Sequence, residues 1–237
     1  AGVLVHGESR TKDRRLAERV RLASSLPELL SWGPVLVAEC AGHAGLAECG
    51  AAVLEHGTDL VVASVGALAE PALEHALRAA AQAGRSRMRI PSGAVGGLDA
   101  LASARLGGLA AVRYVGSKPV AAWRGTRAEQ TMDLEEIVTA TAIFEGTARE
   151  AALAYSQNAN VAAAIALAGV GFDATRVTLM ADPAARANEH LIEAEGAFGR
   201  FAFSIAGTPL PDNPKTSMLA AFSLLRCLVS PADTIQI

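Results

Sequence analysis

The chain reads Val35-Leu-Val-Ala-Glu-Cys40, then Asp59-Leu-Val-Val-Ala-Ser-Val65, then Arg87-Met-Arg-Ile90, three short apolar runs that decide the fold class. Each run has the length of a strand, and a helical pattern of about a dozen residues follows it. Short apolar strands that alternate with helices indicate a parallel sheet with right-handed crossovers. We therefore expect an α/β protein whose first part is a Rossmann-type parallel-sheet domain.

The loops that follow these runs are rich in small residues. They are Cys40–His43, Ser64–Leu68 and Pro91–Gly97. In a parallel sheet, ligands bind beyond the carboxyl ends of the strands, where such loops meet. Tight turns explain the glycines of any single loop, but three successive loops at one sheet edge favour a bound nucleotide.

The phosphate-binding turn of a dinucleotide-binding fold, G-x-G-x-x-G between a strand and a helix, does not occur in these residues. The first run, Ala1-Gly-Val-Leu-Val5, resembles the second strand of such a fold, whose end carries the acid that contacts the ribose. Glu8 would then contact a ribose and Arg10 a 2′-phosphate, although a solvated loop explains both equally well. We expect that the first βα unit is missing because the N-terminus is truncated. Phosphate binding by another route is the alternative.

From Ala110 onwards the strands follow one another more closely. Three strand candidates come after an Ala-rich helix: Arg176–Met180, Glu189–Ala194 and Phe198–Ala206. Strands grouped in this way predict a second α/β domain with a mixed or antiparallel sheet. We assign residues 1–112 and 214–237 to the Rossmann-type dinucleotide-binding domain and residues 113–213 to a substrate-binding domain.

Two local signals predict helix starts in the second half. Thr147 and Glu150 form the S/T-x-x-E sequence of a capping box. The segment Lys215-Thr216-Ser217 follows a proline-rich turn and predicts the start of an apolar helix that continues to Leu228. We expect this last helix to pack back on the first domain.

Charge, hydropathy and cysteine spacing disfavour several classes of protein. The 237 residues carry a net charge of −3 with acids and bases mixed, which argues against a nucleic-acid or membrane surface. The longest uncharged apolar run, Val161–Phe172, has 12 residues, whereas a membrane span needs about 20. No leader is visible at Ala1, so we expect a cytoplasmic protein. Cys40, Cys49 and Cys227 lack the spacing of metal ligands, so we expect free thiols and no metal site. No P-loop, H-E-x-x-H or Ser/His/Asp motif occurs, which disfavours phosphoryl transfer and metallohydrolysis.

Two amides and a histidine are the candidate binding and proton-transfer groups. Asn158 and Asn160 stand before the Ala-rich helix, where N-caps lie and where backbone N–H groups meet an anion or a carboxamide. His190 has a ring that titrates near neutral pH, and Asn188 lies on the same side of the extended chain. This pair could hold a carbonyl substrate and exchange protons with it. A capped core helix followed by an exposed histidine is the alternative.

Eight fragments of the chain occur in an order that is specific although each fragment alone is weak. They are Glu39–His43, Ser64–Leu68, Ile90–Ala100, Phe144–Ala152, Asn158–Val161, Ala181–Pro183, Asn188–His190 and Asn213–Ser217. Together they resemble the NAD(P)-dependent L-aspartate dehydrogenase family, and the resemblance covers essentially the whole chain.

The resemblance implies a Rossmann domain and a substrate domain that also forms a homodimer. It implies oxidation of L-aspartate to iminosuccinate and then to oxaloacetate and ammonia, with hydride transfer to NAD or NADP, and the reverse reductive amination. The imino product would enter quinolinate and pyridine nucleotide biosynthesis. The catalytic histidine of the family falls on His190, and its cofactor contacts fall on Ala94 and Asn160.

The two carboxylates of such a substrate require cations or N–H donors. We assign Asn188, Lys215 and Thr216 to the substrate, although a helix N-cap explains Thr216 equally well. Two other functions stay open at this point. One is a non-catalytic nucleotide- or metabolite-binding protein of the same fold, and the other is a related NAD(P)-dependent reductase of another imino or keto diacid.

Overall fold

The computed structural model describes residues 1–4, 19–155, 159–211, 213–232 and 234 of the chain. Glu8, Arg10 and Asn158 lie outside the described residues, as does the side chain of Lys215. The predicted roles of these four groups therefore stay predictions.

The first part of the chain alternates strands and helices. Its elements are β1 (Gly2–Leu4), β2 (Arg21–Ala23), α1 (Leu26–Ser31), β3 (Leu36–Glu39), α2 (Gly42–Glu55), β4 (Asp59–Val62), α3 (Pro71–Gly84), β5 (Met88–Arg89) and α4 (Leu98–Leu106). Strands β3, β4 and β5 form one parallel sheet, and β1 and β2 form a separate parallel pair. Leu60, Val61 and Val62 of the central strand are almost fully buried, because helices cover both faces of a parallel sheet. The predicted Rossmann-type parallel sheet is confirmed.

The second part forms a five-stranded sheet of mixed sense. Its elements are β6 (Leu109–Lys118), α5 (Arg127–Thr131), β7 (Thr141–Thr147), α6 (Ala148–Ala154), α7 (Ala159–Ala168), β8 (Arg176–Ala181), β9 (Asn188–Gly196) and β10 (Gly199–Gly207). The strand order is β10-β9-β6-β8-β7, with β6 parallel to β8 and antiparallel to β9. The predicted second α/β domain with a mixed sheet is therefore also confirmed.

Helix α7 lies on one face of this sheet and runs against the direction of β6. The Cβ that Gly169 lacks would lie 3.3 Å from Cγ2 of Val112, so the carboxyl end of the helix is beside the start of β6. Asn160 lies nine residues before Gly169 along the helix, and Gly116 lies four residues after Val112 along the strand. A helix rises about 1.5 Å per residue and a strand about 3.3 Å, so these two segments span similar lengths. The first turn of α7, with Asn160, therefore lies near the level of Gly116, toward the carboxyl end of β6.

The capping box predicted at Thr147 is present. The Thr147 side chain accepts a hydrogen bond from the backbone N–H of Glu150, and the Glu150 carboxylate accepts one from the backbone N–H of Thr147. Both signals lie within four residues, which is why sequence alone locates this helix start.

The predicted start of the last helix is wrong by three residues. Residues 215–217 belong to strand β12 (Asn213–Ser217), which pairs with β11 (Pro209–Leu210), and helix α8 (Met218–Val229) begins afterwards. The residue before a proline favours extended backbone, so Asn213-Pro214 starts a strand instead of a helix turn. As expected, α8 contacts the first part of the chain, at β4.

Among the described residues, no helix combines the length and the apolar composition that crossing a membrane requires. Cys40, Cys49 and Cys227 carry free thiols.

Candidate active site

His190 lies on the buried face of the mixed sheet. It is the third residue of β9 and is paired with Gly116 of β6 on one side and with Ile205 of β10 on the other. Its side chain is only 5% exposed, so the alternative of an exposed histidine is wrong. Alternation along β9 places Ile192 and Ala194 on the same face, and both are in the core.

Tyr114 holds one ring nitrogen of His190. Its hydroxyl lies 2.9 Å from Nδ1, and the two rings stack with centroids 6.0 Å apart. Gly116 makes this contact possible, because a Cβ at that position would lie 2.5 Å from the Tyr114 hydroxyl oxygen. The hydroxyl can donate to Nδ1 or accept from it, so it stays bonded in either protonation state of the ring. Nε2 is the nitrogen left to meet a substrate.

Burial and a neighbouring cation keep His190 neutral. Burial, and to a smaller extent the charge of Lys118, together lower the pKa of His190 to about 4. Burial likewise lowers the pKa of Lys118 to about 8 and raises the pKa of Tyr114 well above its usual value. At pH 7 the site therefore combines a neutral imidazole, a charged ammonium and a neutral phenol. Sequence reasoning missed Tyr114 and Lys118, because their roles depend on the register of β6 against β9.

Asn160 joins the two parts of the chain. It lies in the first turn of α7, and its Oδ1 accepts a hydrogen bond of 2.8 Å from the backbone N–H of Gly66, in the loop after β4. The prediction that Asn160 is an N-cap is wrong, since the helix already includes Ala159. Because Oδ1 is engaged, Asn160 offers its Nδ2 donors to a ligand.

Glu39 ties two of the predicted ligand-binding loops together. Its buried carboxylate accepts hydrogen bonds from the backbone N–H groups of Ala41, Gly42 and Ser64 and from the Ser64 hydroxyl. These N–H groups are therefore satisfied by protein. The loops after β3 and β4 are fixed relative to each other by a charge-assisted network.

The third loop, Pro91–Gly97, contacts the strand next to His190. Gly97 has a φ of +73°, and a Cβ there would clash with the Phe203 ring of β10. A Cβ on Gly96 would lie 3.5 Å from Cδ1 of Ile205, the residue paired with His190. Ala94 is 7% exposed within this loop. The loop, His190 and the first turn of α7 therefore lie at the same end of the mixed sheet.

Two of the residues predicted to bind substrate have described side chains. Asn188 lies at the same end of the mixed sheet as His190, and Thr216 is hydrogen-bonded to Asn213. Asn188 precedes His190 by two residues on the same face of β9 and is paired with Gly207. The Thr216 hydroxyl accepts a hydrogen bond of 3.0 Å from Nδ2 of Asn213 in strand β12. Thr216 is therefore not a helix N-cap, and Ser217 occupies that position without a side-chain capping bond.

The residues at this sheet end fit a nicotinamide. Gly93 has a φ of +68° and no atom within 4 Å of the position of a Cβ, so the backbone there is open to close approach. The Nδ2 group of Asn160 suits the carbonyl oxygen of a carboxamide. A separate cavity of about 700 Å³ lies between α5, β7 and α6, where Arg127, Met132, Phe144 and Leu153 line it, and it does not include His190. No cluster of three potential metal ligands occurs in the described residues.

Two sequence families match the two parts of the chain. The family "Homoserine dehydrogenase, NAD binding domain" matches residues 1–91, and the family "Aspartate dehydrogenase, C-terminal" matches residues 99–230. The L-aspartate dehydrogenase of Cupriavidus taiwanensis is 50% identical over 97% of this chain and 85% of its own length. The chain belongs to the L-aspartate dehydrogenase family.

Other members of the aspartate dehydrogenase family support this family assignment. The L-aspartate dehydrogenase of Pseudomonas aeruginosa is 46% identical over 99% of this chain and 89% of its own length. The crystal structure of aspartate dehydrogenase from Thermotoga maritima superimposes with a TM-score of 0.71 at 30% identity, covering 85% of this chain and 77% of that one. The predicted family and the predicted NAD(P)-binding fold are confirmed, while the roles of individual residues stay predictions.

Proposed function

We propose that this protein oxidises L-aspartate at C2 with NAD or NADP and releases oxaloacetate and ammonia, and that it also catalyses the reverse amination. The protein is an NAD(P)-dependent oxidoreductase of the L-aspartate dehydrogenase family. The observation that carries the detailed proposal is the common location of His190, Asn160 and the Pro91–Gly97 loop at one end of the mixed sheet.

The cofactor site is formed by residues of both parts of the chain. When bound, the nicotinamide supplies a hydride acceptor for the hydrogen on C2 of aspartate. Asn160 would hold its carboxamide through Nδ2, because Oδ1 is already bonded to Gly66. The small side chain of Ala94 would leave room for the ring.

His190 serves the steps that follow at C2. Loss of the hydride leaves a C2=N double bond, and a water molecule then adds its oxygen to C2. Neutral His190 takes a proton from that water at Nε2 and passes it to the amine nitrogen. As the C2–N bond breaks and ammonia leaves, the hydroxyl on C2 gives its remaining proton to Nε2 and becomes the carbonyl of oxaloacetate. Tyr114 keeps the ring oriented through Nδ1 during these transfers. Asn188, Lys215 and Thr216 are proposed substrate contacts.

Three broader features of the proposal rest on the family resemblance. We propose residues 1–112 and 214–237 as the dinucleotide-binding domain, and residues 113–213 as the substrate-binding domain through which two copies form a homodimer. We propose a cytoplasmic location and a role of the imino product in pyridine nucleotide biosynthesis. Light scattering during size-exclusion chromatography would test the dimer.

The activity is tested by adding L-aspartate and NAD or NADP to the full-length protein and recording the absorbance of the reduced nicotinamide. We expect turnover with aspartate and none with D-aspartate. Binding of NAD(P) without turnover would favour a non-catalytic binding protein. Faster turnover of another amino or imino diacid would favour the related reductase.

A further inference from the structure

The hydroxyl of Ser217 is buried without a hydrogen-bond partner. Ser217 is 7% exposed, and no group in the described part of the chain bonds to its Oγ. A buried hydroxyl that lacks a partner costs free energy, so folded proteins rarely keep one without a reason. A ligand that completes the hydrogen bond would supply that reason.

Ser217 also stands at the amino end of helix α8, which has 12 residues. A serine at this position usually accepts a bond from the first turn of its helix, but the Ser217 side chain does not. The backbone N–H of Met218 donates to the backbone oxygen of Thr208 at 2.8 Å. The next N–H groups of a first turn have no acceptor within the helix, and the helix dipole favours an anion there. A hydroxyl donor and an anion-attracting helix end therefore occur together.

The Ser217 hydroxyl lies on the face of the mixed sheet that carries His190. A Cβ on Gly207 would lie 3.2 Å from Oγ of Ser217. Gly207 is paired with Asn188, and directly paired residues of antiparallel strands project to the same face. Asn188 precedes His190 by two residues, which is a step of about 7 Å along a strand. The aspartate skeleton can bridge a step of this length.

Helix α8 continues from Ser217 to the loop at which the nicotinamide is proposed to bind. The Ser223 hydroxyl accepts a hydrogen bond of 2.9 Å from the backbone N–H of Gly93 and donates one to the backbone oxygen of Ala220. The Ser223 hydroxyl is therefore satisfied by protein groups, in contrast to that of Ser217. The first two turns of α8 thus extend from the end of the mixed sheet to the Pro91–Gly97 loop.

We infer that the Ser217 hydroxyl and the amino end of α8 bind a carboxylate of the substrate. The inference rests on the proposed function, because it assumes that aspartate lies with C2 beside His190. The hydroxyl donates to one carboxylate oxygen and the first turn of α8 donates to the other, and hydrogen bonds to a charged acceptor are the stronger kind. Gly207 serves this site by leaving space for the hydroxyl.

The test measures the binding of L-aspartate, L-asparagine and L-isoasparagine to the full-length protein with NADH, by isothermal titration calorimetry. No oxidised cofactor is present, so no turnover occurs. Asparagine keeps the carboxylate on C1, and isoasparagine keeps the carboxylate on C4. Ser217→Ala should weaken aspartate by about 10- to 100-fold, since it removes one hydrogen bond to a charged group. A matching loss with asparagine alone assigns the C1 carboxylate to Ser217, and a loss with isoasparagine alone assigns the C4 carboxylate.

Stability separates this role from a structural one. Without ligand, Ser217→Ala should melt no lower than the unmodified protein, because its hydroxyl has no described partner to lose. A matched control is Ser86→Ala, which removes a hydroxyl that donates to the backbone oxygen of Leu54, before β5 and away from the Pro91–Gly97 loop. Ser86→Ala should lower the melting temperature and leave aspartate binding unchanged.

Three results overturn the inference. They are unchanged aspartate binding in Ser217→Ala, an equal loss for aspartate and both monoamides, and a loss of NADH affinity instead of aspartate affinity. If the unmodified protein does not oxidise aspartate at all, the proposed function fails. Oxidation of aspartate together with unchanged aspartate binding in Ser217→Ala overturns only the role of Ser217.

Discussion

The hydroxyl oxygen of Tyr114 lies 2.9 Å from Nδ1 of His190, in the space that any side chain at position 116 would fill. This bond joins β6 and β9 beside the buried apolar side chains of Val112, Ile192 and Ala194. A buried imidazole without a partner would cost free energy, so Tyr114 both satisfies Nδ1 and turns Nε2 toward the substrate.

Replacing Tyr114→Phe removes this bond while keeping the ring in the core. We expect kcat for aspartate oxidation to fall by about 3- to 10-fold, because one neutral hydrogen bond contributes about 1 kcal/mol to holding His190. The KM for NAD should stay the same. Tyr155→Phe is the matched control, since Tyr155 is also buried but its hydroxyl donates to the backbone oxygen of Ile143. Equal losses in the two variants would contradict the role of Tyr114.

Replacing Gly116→Ala should also disturb the hydrogen bond between Tyr114 and His190, by moving the tyrosine ring. The new methyl group would meet the Tyr114 hydroxyl oxygen at 2.5 Å, so the ring must shift away from His190. We expect a loss of kcat comparable to that of Tyr114→Phe, and a smaller loss when Gly116→Ala is added to Tyr114→Phe. Fully additive losses in this double-mutant cycle would show that Gly116 acts through something other than the hydroxyl.

The pH dependence of kcat/KM should reflect two shifted groups of the free enzyme. His190 must be neutral, and burial and Lys118 lower its pKa to about 4, so activity should persist as pH falls to about 5 and be lost through about 4. Burial lowers the pKa of Lys118 to about 8, so the positive charge that acts on His190 is lost as pH rises through about 8, and kcat/KM for the dianionic substrate should fall there. Rate measurements from pH 4 to 10 check this. An acid limb near the ordinary histidine pKa of about 6.5 would contradict it.

We expect the two ends of the Asn160 amide to have different roles. Oδ1 bonds to the backbone N–H of Gly66, and Nδ2 would bind the cofactor. Asn160→Asp keeps an oxygen that accepts the Gly66 N–H but removes the Nδ2 donors, whereas Asn160→Ala removes both. We expect both variants to raise the KM for NAD by about 10-fold. Only Asn160→Ala should also lower the unfolding free energy, by about 1 kcal/mol, as measured by urea denaturation. An unchanged KM for NAD in Asn160→Asp would remove Asn160 from the cofactor site.

Sequence reasoning succeeded where the determining signal is local. The apolar runs at β3 and β4 and the capping box of Thr147 and Glu150 are each read within about seven residues. Short fragments of the chain carry the resemblance to aspartate dehydrogenases. That resemblance predicts a catalytic role for His190 and cofactor contacts for Ala94 and Asn160.

The surroundings of His190 could not be read in the same way. Tyr114 precedes His190 by 76 residues, and their contact depends on the antiparallel register of β6 and β9. The burial of His190 likewise depends on which face of β9 the helices cover. The sequence around Lys118 indicates only the end of a strand. Its position beside His190 depends on the pairing of β6 with β8 on one side and with β9 on the other.

The central claim is that the imidazole of His190 acts at C2 of aspartate beside the nicotinamide. The most direct test is a measurement of kcat and of NADH affinity for His190→Ala, with His75→Ala on the exposed face of α3 as the control. We predict a loss of kcat by about 100- to 10,000-fold with NADH binding unchanged, and no change in either quantity for His75→Ala. Aspartate oxidation by His190→Ala at the rate of the unmodified protein would contradict the account.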